Sequence, residues 1–160
     1  MDKILISACL LGKPVRYDGA GKRLDHYLIT KWHLEGRLVS ICPEIVAGFP
    51  TPRPPAEIGN AANGNDVLDN EATIHEFNGN DVTSLFLNGA EIALKTAIQK
   101  KCKFALLTDG SPSCGSTYVY DGSFNNTKIA GLGVVAALLK RHGIKVYNEI
   151  QIAELACKLD

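Results

Sequence analysis

Apolar positions along this chain fall into short unbroken runs set between longer amphipathic stretches. Lys3 to Ala8, Leu38 to Ile41, Phe104 to Leu107 and Ile144 to Tyr147 are dominated by Ile, Leu, Val and aromatic residues, and turn residues lie nearby. Runs of this kind predict strands buried on both faces. Between them, three-four spacing predicts helices. One covers Leu24 to Glu35, with Leu28 and Trp32 on its apolar face and Gly36 as its stop. A second follows Asp81 and carries Val82, Leu85, Phe86, Ala90, Ala93, Leu94, Ala97 and Ile98. A third starts at Gly131-Leu132-Gly133 and ends before Gly143, and a fourth closes the chain over Ile150 to Leu159. Strands alternating with helices predict an α/β fold: a single three-layer domain over 1–160, Rossmann-like, with a mainly parallel sheet. Ligands of such folds lie beyond the carboxyl ends of the strands.

The intervening segments are long. Leu10 to Arg23 reads as a glycine-containing loop. Cys42 to Ile58 reads as irregular and stiff, because Pro50, Pro52, Pro54 and Pro55 fall close together. Asn60 to Asn80 is rich in Asn and Gly, and its short pieces Val67-Leu68 and Thr73-Ile74-His75 suggest a small hairpin or flap. Loops of this length in a compact domain are usually functional or disordered. Asn88-Gly89 weakens the middle of its helix and permits a close approach there.

Composition narrows the classes. Lys and Arg number 17, Asp and Glu also 17, so the net charge is zero and no global field favours stable nucleic-acid binding. No apolar run reaches the roughly 18 residues a membrane helix needs. Ile6-Ser7-Ala8-Cys9 imitates a lipoprotein cleavage box, but only Ile4 and Leu5 separate it from Lys3, too little for a signal. The expectation is a cytoplasmic protein with no membrane partner. The five cysteines are odd in number and include no Cys-x-x-Cys pair, which argues against a disulfide framework, a zinc ribbon or a thioredoxin motif.

Sorting those cysteines by element is more informative. Cys9, Cys42 and Cys114 each fall at or just past the carboxyl end of a predicted strand, whereas Cys102 precedes one and Cys157 sits on a helix. Three thiols at the ligand-binding edge suit a metal centre: zinc with an open fourth position, or a 4Fe–4S cluster with one iron lacking a protein ligand. The bland reading of each is a small buried hydrophobe. Glu44, two residues past Cys42, is a candidate general base, although alone it reads as a solvated loop charge. Ser111 and Ser113 flank Pro112 just before Cys114 and are candidates for contacting substrate or water, or for capping a turn. Arg16, Tyr17 and Asp18 come from the loop after the first strand and are candidate substrate-binding residues. Lys13, Arg23 and Arg53 are candidates for an anion site, and Gly131-x-Gly133 at a helix start is a weak phosphate signal. The four histidines show no metal spacing.

Ile6-Ser7-Ala8-Cys9-Leu10-Leu11-Gly12, Val15-Arg16-Tyr17-Asp18-Gly19, Cys42-Pro43-Glu44, Ser111-Pro112-Ser113-Cys114-Gly115 and Gly133 to Gly143 together resemble, in order, a bacterial family long catalogued as a domain of unknown function. That family includes thiouracil desulfidases. The resemblance covers nearly the whole chain, and Ser-Pro-Ser-Cys-Gly with Cys-Pro-Glu is its specific mark. It implies a 4Fe–4S cluster on Cys9, Cys42 and Cys114 with one iron open to the sulfur of a thiolated pyrimidine. It implies Glu44 as acid–base, Ser111 as a positioning group, and loss of sulfur as sulfide without net redox change. Longer relatives append a domain associated with thiolated RNA, absent here, so the expected substrate is a free thiouracil, thiouridine or its monophosphate. The alternative of another class is a non-catalytic metal-binding or sensing module.

Overall fold

A computed structural model describes residues 1–160. In chain order the elements are β1 (Lys3–Ser7), a 3-10 turn (Ala8–Leu11), α1 (Tyr27–Leu34), β2 (Leu38–Ile41), α2 (Pro43–Ala47), β3 (Ala56–Ile58), α3 (Gly64–Leu68), β4 (Ile74–Glu76), α4 (Thr83–Gln99), β5 (Cys102–Leu106), β6 (Tyr118–Tyr120), β7 (Lys128–Ala130), α5 (Val134–Arg141), β8 (Lys145–Tyr147), a second 3-10 turn (Glu149–Gln151) and α6 (Ile152–Ala156). The four predicted strands form one all-parallel sheet in the order β2-β1-β5-β8.

Alternation along the central strands builds two cores. Ile4 and Ile6 of β1 and Phe104 and Leu106 of β5 point to one face, where they meet Leu28 and Trp32 of α1 and Ile152 and Leu155 of α6. Leu5 and Ala105 point to the other, against Phe86, Ala90 and Ala93 of α4 and Val134, Val135 and Leu139 of α5. A side chain as fully buried as Leu5 or Ile6 contributes about 1.5–3 kcal/mol relative to exposure. These opposed cores make the three layers, and they explain why the strands read as continuous apolar runs.

The connections define where a ligand fits. From β1 the chain crosses one face through α1 to β2, then crosses the other face through α4 to β5, on the opposite side of β1. The carboxyl end of β1 is therefore the topological switch point, the usual crevice of an open α/β sheet.

Local departures from the sequence expectations each have a cause. Helix α1 starts at Tyr27 because His26 caps it, its Nδ1 accepting from Leu28 N at 3.2 Å. The closing helix is split, because Asn148 accepts from the amides of Ile150 and Gln151 and so imposes a 3-10 turn first. Pro43–Ala47, expected to be irregular, is a helical turn with Pro43 in its first turn, where a missing N–H costs nothing. Ile74 and His75 do lie in a hairpin, but the partner strand is Ala56–Ile58, from the proline stretch. Val67-Leu68 instead ends α3, which a capping box of Asn63 and Asp66 initiates. The β6–β7 hairpin had no counterpart in the sequence reading. Gly89 does permit a close approach: a Cβ there would lie 2.5 Å from the Pro43 carbonyl oxygen, so α4 packs directly against α2.

Candidate active site at the carboxyl edge of the sheet

Cys9 lies in the 3-10 turn directly after β1, and Cys42 directly follows Ile41, which pairs with Ser7 in the parallel register. Adjacent strands thus deliver the two thiols side by side. Cys114 arrives by a longer route, on the loop between β5 and β6. Ser111 shapes that loop, its Oγ accepting from Ser113 N at 3.1 Å and from Cys114 N at 2.7 Å.

Helix α5 locks the same loop. The amides of Gly133, Val134 and Val135 donate to the carbonyls of Gly115, Pro112 and Ser113 at 2.8–2.9 Å. A Cβ on Gly133 would stand 2.4 Å from the Ser113 carbonyl oxygen and could not fit. The Gly131-x-Gly133 turn is therefore no phosphate site, because its helix amides are spent on holding the cysteine loop.

Asp109 organises the other half of this segment. Its Oδ1 accepts from the amides of Gly110, Ser116 and Thr117 at 2.9–3.1 Å, and its Oδ2 accepts from Asn148 Nδ2 at 2.9 Å and from the Thr117 hydroxyl. Burial pushes this carboxyl up, but those donors outweigh it and hold Asp109 below the usual carboxylate range. Sequence reading named Asp109 only as part of the loop. An Asp followed by Gly at a strand end was the available signal, and it did not reveal how many donors converge there.

A cavity of about 290 Å³ opens over these elements. Cys9, Cys42, Cys114, Glu44, Ser111, Arg16 and Tyr17 all line it. Asp18 does not: it is exposed and accepts from Ala20 N at 2.9 Å, closing its own turn. Ser113 is also off the cavity, 1% exposed, with an Oγ that has no partner. The substrate-binding roles expected for Asp18 and Ser113 have no support in this arrangement. Lys22, Glu57, Tyr118, Tyr120 and Asn126 line the cavity without having been singled out as site residues.

Arg53 corrects another expectation. It is a buried pillar rather than a free anion-binding base, its side chain only 2% exposed. Nε donates to Glu44 Oε1 at 3.2 Å, Nη1 to Pro50 O and Thr51 Oγ1, and Nη2 to Val15 O at 2.8 Å. The Val15 carbonyl also receives the Cys42 thiol at 3.9 Å, so one backbone oxygen joins Arg53, the first loop and a cysteine. Lys13 lies outside, reaching Ser40 Oγ at 3.3 Å, and Arg23 is exposed off the cavity.

Burial dominates the electrostatics of this thiol-rich crevice. Burial pushes the Cys9 thiol up to about 11, with a further rise from Cys42 and opposition from Arg16 and Lys22. Burial also raises Cys42, against the amides of Ile45 and Glu44. Cys114 is raised furthest, by burial first; the Ser7 hydroxyl opposes this, while Cys9, Cys42 and Glu44 add to it. Glu44 is raised by burial despite Arg53. The sulfurs thus sense one another, yet no three His, Cys, Asp or Glu groups stand close enough to hold one metal ion together. Cys102 is buried at the opposite, amino end of β5, and Cys157 is exposed past α6.

A parallel α/β sheet with three converging thiols and a part-buried carboxylate at its switch point defines an enzyme-like crevice. Residues 4–151 match the model of the 2-thiouracil desulfurase family, and the chain belongs to that family. It is 41% identical over 152 residues to the Bacillus subtilis (strain 168) protein YbbK, described as uncharacterized, covering 95% of this chain and 99% of that one. Among solved structures, the [4Fe-4S]-dependent thiouracil desulfidase TudS is similar at 45% identity and a TM-score of 0.89, over 98% of this chain and 97% of that one. No helix here is long and apolar enough to cross a membrane.

Proposed function

We propose that this chain is a 4Fe–4S-dependent desulfidase that removes sulfur from a thiolated pyrimidine, namely thiouracil, thiouridine or its monophosphate, in the reducing cytoplasm. The observation that carries this reading is the convergence of Cys9, Cys42 and Cys114 with Glu44 on one cavity. Three thiols without a fourth fit a cluster with one iron left to substrate. When bound, the cluster supplies a Lewis acid for the substrate's sulfur.

The protein's own groups supply the rest. Glu44 Oε1 is held by Arg53 Nε, and Oε2 has no hydrogen-bond partner in the protein, so it is available to water in the cavity. Glu44 takes a proton from that water as it attacks the thiocarbonyl carbon and later returns it to the departing sulfur. Thiocarbonyl and water are consumed, carbonyl and hydrogen sulfide are formed, and no electrons are exchanged. Ser111, whose oxygen already accepts two amides, keeps its hydroxyl proton to donate into the cavity. Arg16 and Lys22, near Cys9, offset negative charge gathered on the sulfurs. The neutral overall charge supports a small substrate rather than stably bound nucleic acid.

The test is anaerobic reconstitution with iron and sulfide, followed by measurement of sulfide released from 2- and 4-thiouracil, thiouridine and its monophosphate. Release by the wild-type chain, with loss of turnover but not of iron in Glu44→Gln, is the expected result. Bound iron with no turnover of any thiolated pyrimidine would establish the non-catalytic module instead.

A further inference from the structure

The β6–β7 hairpin contributes three cavity residues that neither the thiols nor the base account for: Tyr118, Tyr120 and Asn126. Hairpins of two short strands are marginal alone, so the way this one is held matters. Glu57 of β3 accepts with Oε1 from Gly122 N at 3.0 Å and Phe124 N at 3.2 Å, which binds the connecting loop to the neighbouring hairpin. Phe124 also meets Phe77 edge-on at 5.6 Å. Tyr118 is fixed from several sides. Lys128 Nζ sits 4.5 Å from its ring centroid, Tyr120 meets it edge-on at 6.0 Å, and a Cβ on Gly110 would lie 2.8 Å from its ring. The result is a braced aromatic wall with Asn126 at the rim of the same cavity.

We propose that this hairpin is the specificity element of the site, with the Asn126 carboxamide hydrogen-bonding the N–H and C=O edge of the pyrimidine ring. The inference rests on the desulfidase reading for its substrate class. A carboxamide carries one acceptor and two donors, the complement of a ring edge that offers N–H beside C=O. Glu44 and the thiols act on the carbon–sulfur bond and do not read the rest of the ring, so a group on the opposite element is needed to orient it. Asn126 has φ 56°, a conformation in which Asn is also common for purely backbone reasons. The substitution that separates the two explanations is Asn126→Gly, which keeps the turn and removes the carboxamide.

The experiment measures equilibrium binding of uracil and of 1,3-dimethyluracil, which has no ring N–H, to the reconstituted protein. Wild type, Asn126→Gly and Asn126→Asp are compared by calorimetry, with iron content determined for each. The expected result is a 5- to 30-fold weaker Kd for uracil in Asn126→Gly, roughly one to two neutral hydrogen bonds, at unchanged iron. Wild type should prefer uracil over dimethyluracil, and Asn126→Gly should lose that preference. Equal uracil affinity in wild type and Asn126→Gly, or no uracil binding by wild type, would overturn the proposal. Sulfide release, followed in parallel, keeps the two readings apart. Turnover by wild type with unchanged binding in Asn126→Gly sinks the hairpin's role alone. Asn126-dependent uracil binding without any turnover supports the hairpin and sinks the desulfidase reading.

Discussion

Buried Arg53 and part-buried Glu44 form an ion pair, Nε to Oε1 at 3.2 Å, in which every nitrogen of the guanidinium has an assigned acceptor. The pair fixes the carboxylate's position, because Arg53 is itself tied to Val15, Pro50 and Thr51. It also sets two opposing influences on the carboxyl, burial raising its pKa and Arg53 lowering it, with burial the larger.

That balance predicts the acid side of the pH profile. A base must be ionised, so kcat/KM should fall as pH drops through the Glu44 pKa, at a pH above the usual carboxylate range. Arg53→Met removes the influence that lowers the pKa, and its acid limb should move to still higher pH. The same variant should lose on the order of 3 kcal/mol of stability, because it breaks a largely buried pair and removes the other hydrogen bonds of Arg53. Rate profiles and denaturant melts check both, and an unshifted acid limb would show that Glu44 is not the titrating base.

Glu44→Gln keeps the shape of the side chain and an oxygen for Arg53. It should retain fold and iron while kcat falls by roughly 10²- to 10⁴-fold, the usual contribution of a positioned acid–base group.

The cysteines should divide three against two. Cys9→Ala, Cys42→Ala and Cys114→Ala should each lower iron after reconstitution and bleach the charge-transfer absorption of the cluster. Cys102→Ala and Cys157→Ala, remote from the cavity, should leave both near wild type. Equal iron in all five would remove the proposed ligand set.

Asp109→Asn should be costly even though it is nearly isosteric. Oδ2 accepts from both Asn148 Nδ2 and the Thr117 hydroxyl, so an amide nitrogen there would face donors, while an amide turned the other way would face backbone N–H groups. The expected loss is about 1.5–3 kcal/mol, read from denaturant midpoints. The carboxyl's lowered pKa means its contribution is present above the unfolded-state value and is lost as pH falls through the folded one. The gap between wild type and Asp109→Asn should therefore narrow on acidification, and a pH-independent gap would contradict the assignment.

Gly133→Ala tests the lock on the third cysteine. Its Cβ would meet the Ser113 and Pro112 carbonyls, so the loop must shift away from the amino end of α5. Overpacking of this kind costs about 1–3 kcal/mol. Iron occupancy should fall with stability, since the displaced loop carries Cys114.

Much of this arrangement was legible in the chain. Apolar runs located the four sheet strands, and the rule that parallel strands present ligands at their carboxyl ends separated Cys9, Cys42 and Cys114 from Cys102 and Cys157. Cys42-Pro43-Glu44 and Ser111-Pro112-Ser113-Cys114-Gly115 directed attention to segments that line the cavity. These are local properties. A period of side chains or a residue's place at a strand end is set within a few neighbours, so it survives without coordinates.

The partners were decided at longer range. Arg53 reaches Val15 across 38 positions and Asp109 reaches Asn148 across 39, and no spacing rule pairs them. Asp18 turned outward to close its own turn and Ser113 turned into the packing beneath the loop, though both stand in motifs that point to the site. The β6–β7 hairpin took shape only where Glu57 of a distant strand accepted its loop amides. Periodicity along the chain thus determined the sheet and the edge where the thiols gather. Which carboxylate is held, which hydroxyl is buried and which hairpin closes the cavity depended on contacts that exist only once the layers have packed.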